Sequence, residues 1–444
     1  MRPGQVRDCF EGVIPSVIAT LGEDGAPNVS YLSQVHYIDD DHVALSNQFF
    51  SKTARNVKRL NTATLMVVDG RTGEQHILAI SYVRSEEAGP LFARMSAHLQ
   101  VIDGHAVMKL KSVDIYRVHS LTSIAALSPL SETPPRLPPR TDLERLSRFC
   151  LQLTEASDAD ALIEAALDGI ETHLGISHAI LLVADGEGAL TTLAHRGYGG
   201  REGVGAEVRA GEGLIGLSAD IRQPMRICDF RRAQRYASAV AASHQADPRH
   251  IPLPGLETAL SQMAVPLIHQ AQLCGVLFVE SDTAFAFNHE DEAALSILAS
   301  QLAAGLKLHD APDASGPETS GPEASGPAPV STPETPAGPS FRLRHHPFDD
   351  SVFIDDTYLI RGVSGRLLHN LIRAYLDTGK VDFSNREIRR DASLKLPDFK
   401  DNLETRLILL RRRLDEKDAP IRLERTDRGR FRLSLSGQPV IETV

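Results

Sequence analysis

Short apolar runs separated by turn residues fill the first 120 or so positions, and their apolar–polar alternation has the period of two that marks half-buried strands. Val13–Leu21, Asn28–Tyr37, His42–Asn47, Ala63–Asp69, His76–Arg84 and Met108–Val118 read as strands. Asp24-Gly25 closes the first hairpin with a dipeptide that favours a tight turn, and Asp39-Asp40-Asp41 makes a later one. Only Ser51–Leu60 and Glu86–Gln100 carry a helical pattern. Hairpin after hairpin with few helices predicts a closed or nearly closed β-barrel.

Beyond residue 140 the period changes. Leu143, Leu146, Phe149, Cys150 and Leu153 recur at helical spacing, predicting helices over Asp142–Ala156 and Asp158–His173. Strands follow at Ala179–Val183 and Leu190–His195, then a hairpin at Met263–Ile268 and Leu273–Glu280, then a helix over Asn288–Leu306. That order predicts an α+β sandwich. In the C-terminal part, strands near Phe341–Arg344, Ser351–Ile354 and Tyr358–Ile360 precede helical stretches at Gly365–Asp377, Ser384–Arg390 and Asp398–Lys417. Ile421–Arg425 and Arg430–Leu435 close the chain as a hairpin around Asp427-Arg428-Gly429.

Two stretches interrupt this patterning. Residues 128–140 hold five prolines, which block both helices and sheet ladders. Residues 310–340 repeat Ser-Gly-Pro and contain almost nothing to bury, so they are expected to form a disordered linker. The 444 residues therefore divide into folded units at 1–127, 141–309 and 341–444, a multidomain α+β chain. An apolar fraction of 42% with 24% charged residues excludes fibrous, disulfide-scaffold and wholly disordered classes. No apolar run approaches the ~20 residues of a membrane span, and no apolar segment follows Met1, so no membrane and no secretory signal are expected. Four scattered cysteines without a CxxC pair fit a cytoplasmic protein and argue against a zinc site. The net charge of −11 is uneven. Residues 341–444 carry 21 Lys and Arg against 17 Asp and Glu, while the remainder nets −15, which points to different partners for the two parts.

The most informative chemistry lies in residues 16–69. A phosphate needs donors and positive charge in one place. Ser46, Asn47, Ser51 and Thr53 offer donors, Lys52, Arg55 and Lys58 offer charge, and the start of the 51–60 helix adds unpaired N–H groups. The same residues also suit a plain helix N-cap and a solvated face. The order of strand, Asp-Gly-x-Pro turn, strand with His36-Tyr37, strand ending in Ser46-Asn47, and Ser-Lys-x-x-Arg-Asn opening a helix resembles the FMN-binding split-barrel family related to pyridoxamine 5′-phosphate oxidase, over most of residues 8–122. That resemblance implies FMN held by Ser46, Asn47, Ser51, Lys52, Arg55, Asn56 and Gln75. Heme and deazaflavin are other cofactors of the superfamily. Two departures matter: Ser30 stands where the oxidases have a phosphate-binding Arg, and Val35 where they have a substrate Lys. Arg117-Val118-His119 mimics an oxidase motif but lies inside a strand.

Residues 142–308 resemble a GAF domain, the small-molecule sensor fold, through Gly211–Gly216, Gln223–Asp229, Met263–Ile268, Leu273–Glu280 and the helix after Phe287. Such domains take varied ligands, so the fold does not name this one. Cys228 and Cys274 read as buried structural thiols, and His173, His178 and His195 lack metal-ligand spacing. The apolar stripes of the 142–173 and 288–308 helices suit a dimer face or the core under the sheet.

The C-terminal unit resembles the winged helix-turn-helix output domain of bacterial response regulators, through Leu403–Leu414 and the Gly-Arg-Phe-Arg-Leu of the last hairpin. On a helix, Leu403, Leu407, Leu410 and Leu414 form the core stripe. The opposite face would present Asp401, Asn402, Thr405, Ile408, Leu409 and Arg412, flanked by Arg406 and Arg413. DNA contacts are thus expected from Asn402, Arg406, Arg412 and Arg413, with Arg428 and Arg430 on the wing. Ile408 and Leu409 suit a protein partner instead. Together these features predict a homodimeric sensor-regulator acting on transcription. The alternative is an FMN-dependent oxidoreductase with regulatory domains, whose chemistry would be the flavin's because no residue stands out as acid, base or nucleophile.

Overall fold

The computed structural model describes residues 1–10, 14–48, 51–103, 109–124, 142–184, 188–199, 203–230, 251–310, 338–391, 403–427 and 429–443. The linker at 128–140 and nearly all of that at 310–340 lie outside the described residues.

The N-terminal unit is built on one seven-stranded sheet. A 3-10 helix at Pro3–Phe10 leads into β1 (Ser16–Leu21), β2 (Pro27–Leu32), β3 (Val35–Asp39), β4 (His42–Asn47), α1 (Ser51–Leu60), β5 (Ala63–Val68), β6 (Gln75–Glu86), α2 (Pro90–Asp103) and β7 (Ser112–Ile124). The strand order is β2-β1-β5-β6-β7-β4-β3. The strand expected over Asn28–Tyr37 is two strands, and they form opposite edges of the sheet. The chain breaks at Ser33 and Gln34, where polar contacts replace ladder pairing. Ser33 Oγ donates to Gln48 Oε1 at 2.8 Å, and Gln34 N donates to Ser46 Oγ at 3.1 Å. Ile18, Leu45, Leu65, Val67, Leu78 and Ile80 fill the interior.

The middle unit has α3 (Leu143–Thr154), α4 (Ala159–Leu174), β8 (His178–Ala184), β9 (Ala189–Arg196), β10 (Glu207–Arg209), α5 (Gly213–Ile221), β11 (Met225–Ile227), β12 (Ser261–His269), β13 (Gln272–Ser281) and α6 (His289–Asp310). Its six strands run in the order β10-β9-β8-β13-β12-β11. Short β10, β11 and α5 have no clear periodicity in the sequence; the longer elements lie where the pattern put them. Asp158 caps α4 by accepting from Ala161 N at 2.9 Å, and Gly175 ends it in the left-handed conformation. The apolar stripes of α3, α4 and α6 pack beneath this sheet, with Phe149, Ile163, Ile170, Leu295 and Leu302 buried.

Gly169 faces Phe149, and a Cβ there would sit 2.0 Å from its ring. Gly169→Ala is therefore expected to destabilise the chain by about 1–3 kcal/mol through overpacking, against the ~1 kcal/mol that alanine normally gains in a helix. Thermal melting checks this; a raised melting temperature would show that the ring simply moves aside.

The C-terminal unit comprises β14 (Phe341–His346), β15 (Ser351–Ile354), β16 (Thr357–Ile360), α7 (Gly362–Thr378), β17 (Asp382–Ser384), α8 (Asn385–Arg390), α9 (Leu403–Glu416), β18 (Ile421–Asp427), β19 (Arg430–Leu435) and β20 (Pro439–Thr443). One sheet has the order β16-β15-β14-β20 and the other β17-β19-β18. Two strands were not expected from the sequence: β17 pairs with β19, and β20 returns parallel to β14. Leu403, Leu407, Leu410 and Leu414 are buried as the stripe requires. No helix among the described residues is long and apolar enough to cross a membrane.

Candidate functional site

In the barrel, α1 follows β4 directly and lies against β1 and β2. Its buried side points inward. Thr53 Oγ1 accepts from Asn28 Nδ2 at 3.0 Å and lies 2.9 Å from Ser30 Oγ. Asn56 Nδ2 donates to Thr20 Oγ1 at 3.1 Å. Lys52 and Arg55 sit on the exposed side of the same helix, and of Ser51 only its place at the helix start is described. Ser46 is buried and its hydroxyl bonds the backbone of Gln34, while Asn47 Nδ2 donates to Asp114 Oδ2 at 3.0 Å. Gln75, exposed at the start of β6, pairs between Val68 and Ile124. Thus Ser46, Asn47 and Asn56 spend polar groups inside the barrel, while Lys52, Arg55 and Lys58 are exposed on α1. Val35, at the oxidases' substrate-lysine position, is in the barrel core. Arg117–His119 lies within β7, where His119 contacts Ser81 Oγ at 2.7 Å.

Two residues that sequence reasoning missed stand beside this cluster. Gln34 has both amide atoms, and Gln48 its amide nitrogen, buried with no hydrogen-bond partner among the described residues. An unpartnered buried amide is costly, so such atoms mark a place where a partner is missing. In the sequence they carry no signal beyond flanking Ser46-Asn47, because the turn that brings Gln34 back to Ser46 is a tertiary event.

The C-terminal unit corrects the face assigned to α9. Thr405, Ile408 and Leu409, expected on an open surface, are buried, as are Arg406 and Arg413. The helix is covered on both sides, by its own unit and by the middle unit. Arg411 and Arg412 both reach Asp160 on α4, and Arg412 Nη2 also donates to Glu164 Oε1 at 2.6 Å. Arg406 Nη2 donates to Ala184 O at 3.4 Å. Arg413 bonds Leu359 O at 2.8 Å and pairs with Glu416, whose carboxylate accepts from Val204 N at 2.9 Å. On the hairpin, Arg425 pairs with Asp158 at 2.8 Å. Arg361 forks onto Glu207. Burial alone would raise the Asp160 carboxyl, but Arg412 and Arg411 outweigh it and hold it below the usual carboxylate range. Arg406, Arg412 and Arg413 therefore do not present a free DNA-facing surface in this arrangement. Arg430 is exposed on β19, and Asn402 and Arg428 lie outside the described residues.

Comparison with known proteins names the first two units. Residues 3–119 match the family model of pyridoxamine 5′-phosphate oxidase, and residues 156–307 match that of the GAF domain. The chain contains an N-terminal pyridoxamine 5′-phosphate oxidase-like domain and a GAF domain. Among solved structures, it is similar to the GAF domain of a phosphoenolpyruvate-protein phosphotransferase from Coxiella burnetii, at 21% identity over 37% of this chain and 92% of that one, with a TM-score of 0.30. It is also similar to an FMN-binding protein from Syntrophomonas wolfei subsp. wolfei, at 15% identity over 28% and 87%, with a TM-score of 0.24. A third is the GAF domain of an Acinetobacter phosphoenolpyruvate-protein phosphotransferase, at 17% identity over 39% and 97%, with a TM-score of 0.33. No curated protein sequence matches the chain.

In the oxidase-like domain, the residues present fit a flavin mononucleotide in kind: exposed Lys52 and Arg55 would supply charge for a phosphate, and the amides of Gln34 and Gln48, which have no partner among the described residues, would supply donors and an acceptor for a ring edge. A bound flavin would contribute one- or two-electron redox chemistry. In the GAF domain, the sheet face away from α3, α4 and α6 is filled by Ile180, Leu214, Met225 and Phe278, and α2 of the oxidase-like domain adds Ala97. Cys228 is buried with its Sγ 3.8 Å from Phe287 O, and burial raises the thiol of half-buried Cys274, the opposite of activation. No group of three metal-ligating side chains occurs among the described residues.

Proposed function

We propose that this chain is a ligand-responsive regulator in which the oxidase-like domain, carrying FMN, and the GAF domain govern access to a DNA-binding C-terminal winged helix. One observation carries this. The arginines of α9 that suit phosphate contact are held by carboxylates of the GAF helix α4, charges with which a nucleic-acid backbone would compete. Sensing would then act by shifting the population between docked and released C-terminal domains. The docked state accounts for an output domain with a net charge of only +4, because its cations need no nucleic acid to be paired. A homodimer belongs to the same reading: Val29 and Tyr31 on edge strand β2, and Leu143 and Leu151 on α3, are large apolar side chains exposed to solvent on the single chain.

The first test is the absorption spectrum of the purified chain with added FMN, which is expected to show bound flavin bands near ~370 and ~450 nm. Lys52→Ala with Ser51→Ala is expected to lose that retained flavin, read by gel filtration followed by absorbance. Wild-type retention in the double variant would remove α1 from the site. Steady turnover of NAD(P)H by the flavin-loaded chain, with no salt-dependent DNA binding, would favour the oxidoreductase instead.

A further inference from the structure

A small cavity lies where the oxidase-like domain meets the GAF domain. Its polar lining is Arg7 from the N-terminal 3-10 helix, His36 from β3, Arg94 and His98 from α2, Arg226 from β11 and Glu292 from α6. Three guanidiniums thus face one carboxylate. That carboxylate is committed: Arg94 Nη2 donates to Glu292 Oε1 at 2.8 Å, and Arg226 Nε is 3.4 Å from Oε2. Arg226 also donates to Phe287 O at 3.0 Å and lies 4.0 Å from Asp8, which is taken by His289 at 2.8 Å.

The other polar groups are not committed. Arg7 lies over the Tyr37 ring, 4.7 Å from its centroid, and makes no ion pair among the described residues. His36 and His98 make no hydrogen bond among the described residues. Burial and the neighbouring Arg94 keep both imidazoles neutral, His98 being pushed down to about 4. Each neutral ring has one N–H to donate, in a cavity lined by three guanidiniums. The cavity offers about 30 Å³, room for about two or three water molecules. That suits a group with a few heavy atoms and excludes a nucleotide.

We propose that this cavity binds a compact oxyanion, phosphate or a small carboxylate, gripped by Arg7, Arg94 and Arg226 with N–H donors from His36 and His98. Because the grip comes from both domains, the ligand ties the oxidase-like domain to the GAF domain. Charge-assisted hydrogen bonds to guanidinium are the strongest available to such an anion. None of these residues belongs to the flavin or α9 contacts, so the inference stands apart from the function proposed above.

The test is isothermal titration of the full chain with sodium phosphate and, separately, sodium acetate, each against sodium chloride at matched ionic strength. One site per chain is expected for at least one of the two anions, and the anion that binds more tightly identifies the class. Arg7→Gln is expected to weaken it at least tenfold and His98→Gln severalfold. Neither side chain anchors a packing partner through an ion pair, so both variants should keep the wild-type melting temperature within a few degrees without anion. Absence of binding by both anions above the chloride control would overturn the proposal, as would wild-type affinity in both variants.

Discussion

Asp160→Lys combined with Glu164→Lys is expected to unseat the C-terminal domain. Asp160 receives Arg411 and Arg412, and Glu164 receives Arg412 and Arg196. Reversal places two ammonium groups against three guanidiniums. Removing one partner of a fully buried pair costs about 3–5 kcal/mol, but Asp160 is 27% exposed and Glu164 40% exposed, so solvent screening reduces the total to about 2–3 kcal/mol. That corresponds to roughly a 30- to 150-fold rise in amide exchange along α9 wherever exchange follows undocking. The released helix is also expected to bind a random DNA duplex more tightly than wild type, with affinity falling steeply as salt rises. The apolar contact around Ile408 and Leu409 remains, so Asp160→Asn with Glu164→Gln should give a smaller effect in the same direction. Unchanged exchange in Leu403–Glu416 for the reversed variant would show that apolar burial alone holds the domain.

Acidification should weaken the fold well before its carboxylates are protonated. His36, His98, His195 and His369 all have pKa values lowered in the folded chain, first by burial and then by nearby arginines or, for His369, by His345. Above pH ~6.5 these rings are neutral whether the chain is folded or not, and they contribute nothing to the pH slope. Between ~6.5 and ~4 the unfolded chain takes up protons that the folded chain refuses, so stability falls as pH falls. His98, with its folded value about 4, accounts for roughly 2–3 kcal/mol across that window. Asp8, Asp158, Asp160 and Glu292 are lowered carboxylates, and their contribution is lost only below the usual carboxylate range. Asp310 and Glu416 are raised and act in the opposite sense, blunting the slope. Melting temperature against pH at constant chloride is therefore expected to drop between pH 6.5 and 4.5, and His98→Gln should flatten the curve. A slope identical in that variant would mean His98 titrates normally.

Most long elements were legible because each buries one face within its own unit. The alternation of β5 and the helical stripes of α3 and α4 need nothing beyond local geometry, and the leucines of α9 were correctly placed in a core. The split of Asn28–Tyr37 was not legible, because an apolar–polar pattern is the same whether a strand continues or crosses to the far edge of the sheet. At the candidate barrel site the sequence pointed to the cations Lys52 and Arg55, but not to the bonds that Ser46, Asn47 and Asn56 make inside, nor to the amides of Gln34 and Gln48 that have no partner among the described residues.

The sequence by itself pointed to the two domains that family comparison supports, and it determined which residues carry charge. The tertiary structure alone decided what that charge meets. Arg411, Arg412 and Asp160 are separated by about 250 positions, and an exposed basic face and a docked one have the same spacing in the chain. Likewise Arg7, His36, His98 and Arg226 share no motif; they meet because two domains pack together. Local periodicity follows from backbone geometry and is written in every window of residues, whereas the pairing of charges across domains depends on long-range packing that no window contains.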